Sequence, residues 1–171
     1  MTLNADAKIA NIEGSLRQYV ATNLAGTFSA GVAIDYGSGE PFDDTAYSEW
    51  LQVRLLDPAR PASMMGPRST GSTFPYGRDM FHVLSLNIFV RPAKLTTANS
   101  LRLQTLRDTV IGFFTPLTVI AITDYADASA ALGNIVVDTI AVDRLISSPA
   151  RENELLQWNL MLSLRWHESW T

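Results

Sequence analysis

Between Leu156 and His167 the chain alternates without a break. Leu156, Trp158, Leu160, Leu162, Leu164 and Trp166 fall on one side, and Gln157, Asn159, Met161, Ser163, Arg165 and His167 on the other. A period of two fits a β-strand and not a helix, because successive strand side chains point to opposite faces. A one-residue slip in pairing would turn the whole apolar set into water, so the register of this strand is strongly specified. Such a strand belongs in the centre of a sheet, with a neighbour on each side. A second run, MFHVLSLNIFV at 80–90, sets His82, Leu84, Leu86, Ile88 and Val90 against Phe81, Val83, Ser85, Asn87 and Phe89. At about 3.3 Å per residue it reaches roughly 36 Å, beyond the usual strand of 5 to 6 residues, and is expected to protrude past an ordinary domain edge.

The remaining pattern fits around these two strands. Ile9, Ile12, Leu16, Tyr19 and Val20 recur at helical spacing, with Lys8, Glu13 and Arg17 on the wet side, Asn4 or Asp6 as cap and Gly26 as terminator. A second helix starts at a Thr96 or Thr97 cap, buries Leu103, Leu106, Val110 and Phe113 or Phe114, and stops at Pro116. GVAID, EWLQVRLL, LTVIAIT and NIVVDTIAVDRLI read as further strands, the last two joined by a polar turn around 124–133. Strand pairs joined without an intervening helix predict antiparallel pairing. The expected fold is therefore α+β: a mostly antiparallel sheet of five to six strands, two helices packed on one face, and a long inter-strand loop at 57–78. With no repeat and no dividing linker, residues 1–171 read as one domain.

Composition excludes several classes of function. There is no cysteine, which removes disulfides, thiolate metal sites and cysteine nucleophiles. No run of about 18 apolar residues is present to span a bilayer, and the first residues lack the order of a secretory signal, so a cytosolic protein with no membrane partner is expected. The net charge of −4 is uneven: −5 over residues 1–53, +4 over 54–94 and −3 over 95–171. An acidic chain without a zinc finger, an aromatic RNA-binding motif or a basic helix does not suit specific nucleic-acid binding. Only His82 and His167 are available as histidine bases, and no G-x-S-x-G elbow accompanies them. GSGE at 37–40 lacks the Lys-Ser/Thr of a phosphate loop and reads as a turn. Asp35, Glu40, Asp43 and Asp44 lack the spacing of a calcium loop and read as a solvated acidic stretch. No catalytic residue, metal or cofactor is expected.

The loop at 57–78 stands out. It has twenty-two residues, four of the eight prolines, three of the ten glycines, and no Val, Ile or Leu. Connections longer than about 12 to 15 residues in a compact domain are uncommon and tend to be functional or disordered. Its candidate contact residues are Arg60, Arg68, Phe74, Tyr76 and Arg78, an assembly loop in the only positive third of the chain. Trp170, one residue from the end, is a candidate docking residue, since aromatics are enriched at interfaces.

The order of an N-terminal helix, EWLQVRLLD, a long loop, FHVLSLNIFVRP, the helix TANSLRLQTLRDTVIGFF and a final ELLQWNLMLSLRWHE strand resembles the tail terminator proteins of long-tailed bacteriophages, the lambda minor tail protein U group. The likeness runs from about Ile9 to Trp166 and includes a strand, Arg-Pro, helix step at Val90, Arg91 and Pro92. It implies a non-enzymatic virion protein at the neck end of the tail, assembled in the host cytoplasm. Its partners would be further copies in a hexameric ring, the tail tube protein and a head or neck connector, with genomic DNA passing unread through the channel. Two alternatives stand beside it: another neck or tail ring protein, such as a head-completion protein or tube subunit, and a small α+β enzyme or ligand-binding domain.

Overall fold

The computed structural model describes residues 8–24, 26–28, 33–37, 41–56, 64–65, 76–91, 99–126, 131–147 and 155–170; positions 64–65, 76–78, 99–100, 131–132, 147 and 169–170 are described in backbone alone. In chain order the elements are α1 (Ile9–Leu24), β1 (Ile34–Asp35), a short 3-10 helix (Asp44–Ala46), β2 (Glu49–Leu56), β3 (Met64–Met65), β4 (Tyr76–Val90), α2 (Asn99–Phe113), β5 (Val119–Thr123), β6 (Ala131–Ser147) and β7 (Leu156–Trp170). All described strands join one sheet in the order β1-β2-β4-β7-β6-β5, with β3 added to β4. The α+β class, the mostly antiparallel sheet and the two helices are as the sequence predicts; the β1–β2 pair alone is parallel. No helix among the described residues is long and apolar enough to cross a membrane.

The two long strands pair with each other. β4 and β7 form fifteen consecutive rungs, from Tyr76 opposite Trp170 to Val90 opposite Leu156, with no bulge. β2 flanks β4 only as far as Leu56 opposite Val83. β6 flanks β7 only as far as Val136 opposite Arg165. Residues 76–80 and 166–170 therefore extend past both neighbours as a two-stranded arm, to which β3 adds rungs at Gly77 and Arg78. The strand begins four residues before the apolar run predicts, because ladder pairing with β7 carries Gly77 and its polar neighbours where local propensity does not. The connection is correspondingly shorter, 57–75, and contains β3.

Both helices lie on one face. The core there joins Ile12, Leu16, Val20 and Leu24 of α1 and Leu103, Leu106 and Val110 of α2 to Leu51, Leu86, Ile88, Leu160, Leu162 and Leu164 of the sheet. Phe114, just past α2, completes the second stripe. Ile9, predicted to share the first stripe, is instead 51% exposed, one turn beyond the sheet's cover. Gly26 ends α1 with φ +78, a conformation costly for residues with a Cβ.

Polar contacts fix the helices at defined places. On α1, Ser15 Oγ accepts the Thr123 N–H at 3.0 Å and Asn11 Oδ1 accepts the Tyr125 N–H at 3.3 Å, so side chains satisfy backbone groups at and just after the β5 edge. Tyr36, next to β1 at the opposite edge, donates its hydroxyl to Arg17 O at 3.2 Å. One helix thus touches both edges of the sheet, which requires the sheet to curl around it. On α2, Arg102 grips Glu49 of β2 with two hydrogen bonds of 2.9 and 2.6 Å; the Glu49 side chain is 1% exposed. That pairing, with burial opposing it, raises the guanidinium's pKa further above its ordinary range.

Two substitutions test these anchors by urea denaturation. Arg102→Met removes the cation from a buried carboxylate and is expected to cost about 3 kcal/mol, the low end for breaking a buried pair because Arg102 is itself a third exposed. Ser15→Ala takes the Oγ acceptor from the Thr123 N–H and is expected to cost about 1 to 2 kcal/mol. Changes under a few tenths of a kcal/mol would show that neither contact holds its helix.

Candidate functional site

The other face of the sheet carries no helix among the described residues, and its side chains form two adjoining regions. The first is a row of amides. Asn87 of β4 donates Nδ2 to Gln52 Oε1 of β2 at 3.3 Å, and its Oδ1 accepts from Asn159 Nδ2 at 2.7 Å and Gln157 Nε2 at 3.2 Å on β7. Gln52 continues the row by donating to Asp35 Oδ2 at 3.1 Å. Four strands are thus cross-linked by side chains where period-two alternation places polar residues.

The second region is aromatic. Trp50 and Phe89 are cross-strand partners whose rings stack at 4.9 Å and 14°. Phe42 packs on Trp50 at 6.4 Å and stacks on Tyr47 at 5.5 Å, while the Arg91 guanidinium sits 5.4 Å from the Trp50 ring centre. Aromatic pairs in these arrangements contribute about 0.5 to 1.5 kcal/mol beyond their burial. Arg91 also pairs with Asp44 at 3.4 Å, and Asp43 caps the 3-10 helix through the Thr45 N–H.

Between these regions opens a groove of about 550 Å³, lined by Asp35, Gly37, Pro41, Phe42, Asp44, Trp50, Gln52, Arg54, Phe89 and Leu155. Arg54 donates to Asp35 Oδ2 at 2.7 Å and to Asp35 O at 2.8 Å. Gly37, with φ +67, donates its N–H to Asp35 Oδ1, and a Cβ there would sit 2.7 Å from the Arg54 guanidinium. Burial pushes the Asp35 carboxyl up, but the bonds from Arg54, Gln52 and Gly37 outweigh it and hold the group below its ordinary value. The Asp35 carboxylate is thus engaged from three sides. The lining is mixed: Trp50 is buried, Phe42 and Phe89 are half-buried, and the polar side chains Asp35, Asp44, Gln52 and Arg54 bond to one another or to Arg91 and Asn87.

A further charged cluster lies on the helix side, where Arg107 of α2 pairs with Asp143 of β6 and lies 5.8 Å from the Trp158 ring centre. Trp158 Nε1 donates to Asp143 Oδ1 at 2.7 Å. The Arg107 hydrogen bonds hold the Asp143 carboxyl below its ordinary value against the effect of burial, and Trp158 adds to the lowering.

The residues singled out from the sequence are dispersed. Arg60, Arg68 and Phe74 lie outside the described residues, as does Glu40. Tyr76 and Trp170 face each other as the last rung of the arm, and Arg78 pairs with Met64 and Glu168; of these only Glu168 is described beyond the backbone, and it is buried. His82 sits in the helix-side core with its ring 4.6 Å from that of Trp166. His167 Nδ1 lies 3.2 Å from Asp79 Oδ1, its cross-strand partner. Asp35, Asp43 and Asp44 serve Arg54, the 3-10 cap and Arg91, and among the described residues no group of three His, Asp or Glu is placed to hold a metal ion. The groove is absent from the sequence reading, which takes EWLQVRLL as a strand and singles out neither Trp50 nor Phe89 as a site residue. An aromatic at polar-face positions of both EWLQVRLL and NIFV was the available signal.

No known family profile matches the chain, and no curated protein matches it in sequence. Several chains of solved structures match; one of them has a TM-score of 0.55 and 12% identity over 96% of each chain. At that identity the likeness concerns the fold alone.

Asp35 and Asp143 give a pH prediction. Both carboxyls have lowered folded-state pKa values, so their contribution is fully present above the unfolded value of about 3.9 and is lost as pH falls through the lower folded values. Urea stability is expected to drop between pH 5 and pH 3. The Asp35→Asn/Asp143→Asn variant, weaker at pH 7, should lose distinctly less over that interval, and an equal loss would contradict the assignment.

Proposed function

We propose that this protein is a structural ring subunit, the terminator of a long phage tail, which caps the tube, stops its growth and offers a surface to the neck. The observation that carries this reading is the inequality of the two ends of the β4–β7 ribbon. One end extends past β2 and β6, carries the β3 rungs and is closed by the pairing of Tyr76 with Trp170, and the other carries the groove around Trp50 and Phe89. A protomer with two unlike surfaces is suited to head-to-tail contacts, which close into rings when the rotation permits. The order of elements shared with the terminator group supports the same reading, and the arm continues into the Pro- and Gly-rich connection that the sequence marks as an assembly loop.

A ligand-binding domain is the second reading, favoured by the volume of the groove, which falls in the usual range of small-molecule sites. The mutual engagement of Asp35, Arg54 and Gln52 weakens it, since few polar groups converge there toward an outside partner.

Light scattering of the full-length protein, before and after addition of assembled tail tubes, with electron microscopy of the mixture, tests the proposal. A discrete ring, free or at one tube end only, is the expected outcome. Open-ended polymerisation would identify a tube subunit, and a monomer indifferent to tubes would overturn the ring reading.

A further inference from the structure

β6 has the longest unflanked edge among the described residues. β5 runs beside it only as far as Val137, whose N–H and C=O bond to Thr118 and Leu117. The outer side of residues 138–147 therefore meets no described strand, while the inner side pairs with β7. These ten residues compare with four on β2, 53–56, beyond its pairing with β1, and five on the arm, 166–170. Such an edge offers a row of backbone donors and acceptors to any other strand, one from a second copy included. Thr139, Ala141, Leu145 and Ile146 along it are exposed, and β-branched residues dominate between the charges.

The same ten residues oppose such pairing in two ways. In the β6–β7 ladder Asp138, Ala141 and Ile146 have no partner, whereas neither the eight rungs of β2–β4 nor the fifteen of β4–β7 skip a residue. The skips leave regular runs of only two residues, 139–140, and four, 142–145, short of the usual strand of about 5 to 6. Each bulge also adds bend and twist, so a straight strand laid alongside loses register there. Charge is the second obstacle. Asp143 lies opposite Leu160, hence on the helix side, where β7 is apolar from Leu156 to Trp166. Arg107 of α2 and Trp158 Nε1 hold it there. An added strand would press a side chain against this pair and strip its remaining water, a cost the new ladder must offset. Asp138, Asp143 and Arg144 also divide residues 135–146 into IVV, TIAV and LI, so no apolar block reaches the about five to seven residues of an aggregating segment.

We infer that the outer edge of β6 is guarded against strand addition by a second copy, through the bulges at Asp138, Ala141 and Ile146 and the inward pair of Asp143 with Arg107. Contacts with further copies then run through other surfaces. The inference concerns this edge alone and holds whether or not the protein forms rings.

Deletion of Ala141 removes one bulge without moving any other residue off its β7 partner, and it joins 139–140 to 142–145 as a regular run of six. In the full-length protein this variant is expected to form larger species, read by light scattering, at a concentration at least about tenfold below the wild type. The backbone amides of 139–147 are expected to gain protection from hydrogen exchange in the associated form. Leu145→Lys added to the deletion should restore wild-type behaviour, since an edge lysine opposes pairing. Arg107→Gln/Asp143→Asn, which keeps all three bulges, is expected to shift association in the same direction as the deletion. A folded deletion variant that associates no more readily than the wild type overturns the inference, as does association that leaves 139–147 unprotected. If circular dichroism shows the deletion unfolded, the charge variant decides, and its unchanged association overturns the inference. Wild-type rings in which this edge becomes protected refute the guard and leave the ring reading standing. A wild type that forms no ring, with the deletion variant associating through 139–147, supports the guard and refutes the ring reading.

Discussion

The fifteen-rung ladder between β4 and β7 is the constraint from which the rest of the structure follows. Both strands are central, so their alternation must satisfy two faces at once over a length that other strands do not match. Apolar residues on one side, from Leu84 to Val90 and from Leu156 to Leu164, create the surface that α1 and α2 cover. Polar residues on the other side, Asn87, Gln157 and Asn159, bond to one another across the strands. A shift by one rung would exchange the two sets, burying amides against the helices and exposing leucines. Without that register neither the core nor the groove exists.

The flanking elements adapt to this spine. β2 ends opposite Val83, short of the arm, and its Glu49 becomes the anchor for Arg102 of α2. β6 follows β7 through three irregularities, at Val137/Thr139, Ile140/Val142 and Leu145/Ser147. Bulges of this kind bend a strand and increase its twist. They fit the curl by which α1 touches both sheet edges, through Tyr36 at one and Thr123 at the other. The result is a sheet with one face packed under two helices and the other, among the described residues, carrying cross-strand amides and aromatics.

Much of this was legible from residue order because periodicity reports directly on burial. β7, the main part of β4 and both helix stripes follow from spacing alone, and Trp166 in the core follows from its place in the alternation. What was not legible depends on contacts between distant residues. The parallel β1–β2 pair involves only two residues, Ile34 and Asp35, too few to carry a pattern. The bulges of β6 lie inside a β-branched run whose composition reads as a regular strand. The groove draws on separate segments, and its central interaction, Trp50 on Phe89, joins residues 39 positions apart in sequence. The long loop marks Arg60, Arg68, Phe74, Tyr76 and Arg78 by composition alone, and Arg60, Arg68 and Phe74 lie outside the described residues.

Native-state hydrogen exchange on the full-length protein measures the central claim directly, since it ranks each backbone bond by the free energy needed to open it. If the β4–β7 ladder is the spine, the slowest amides are those of residues 84–90 and 156–164, opening only with global unfolding, while α1, β5 and the arm at 76–80 and 166–170 exchange faster. Slowest exchange in α1 or in the β5–β6 hairpin, with β4 and β7 opening first, would contradict the account.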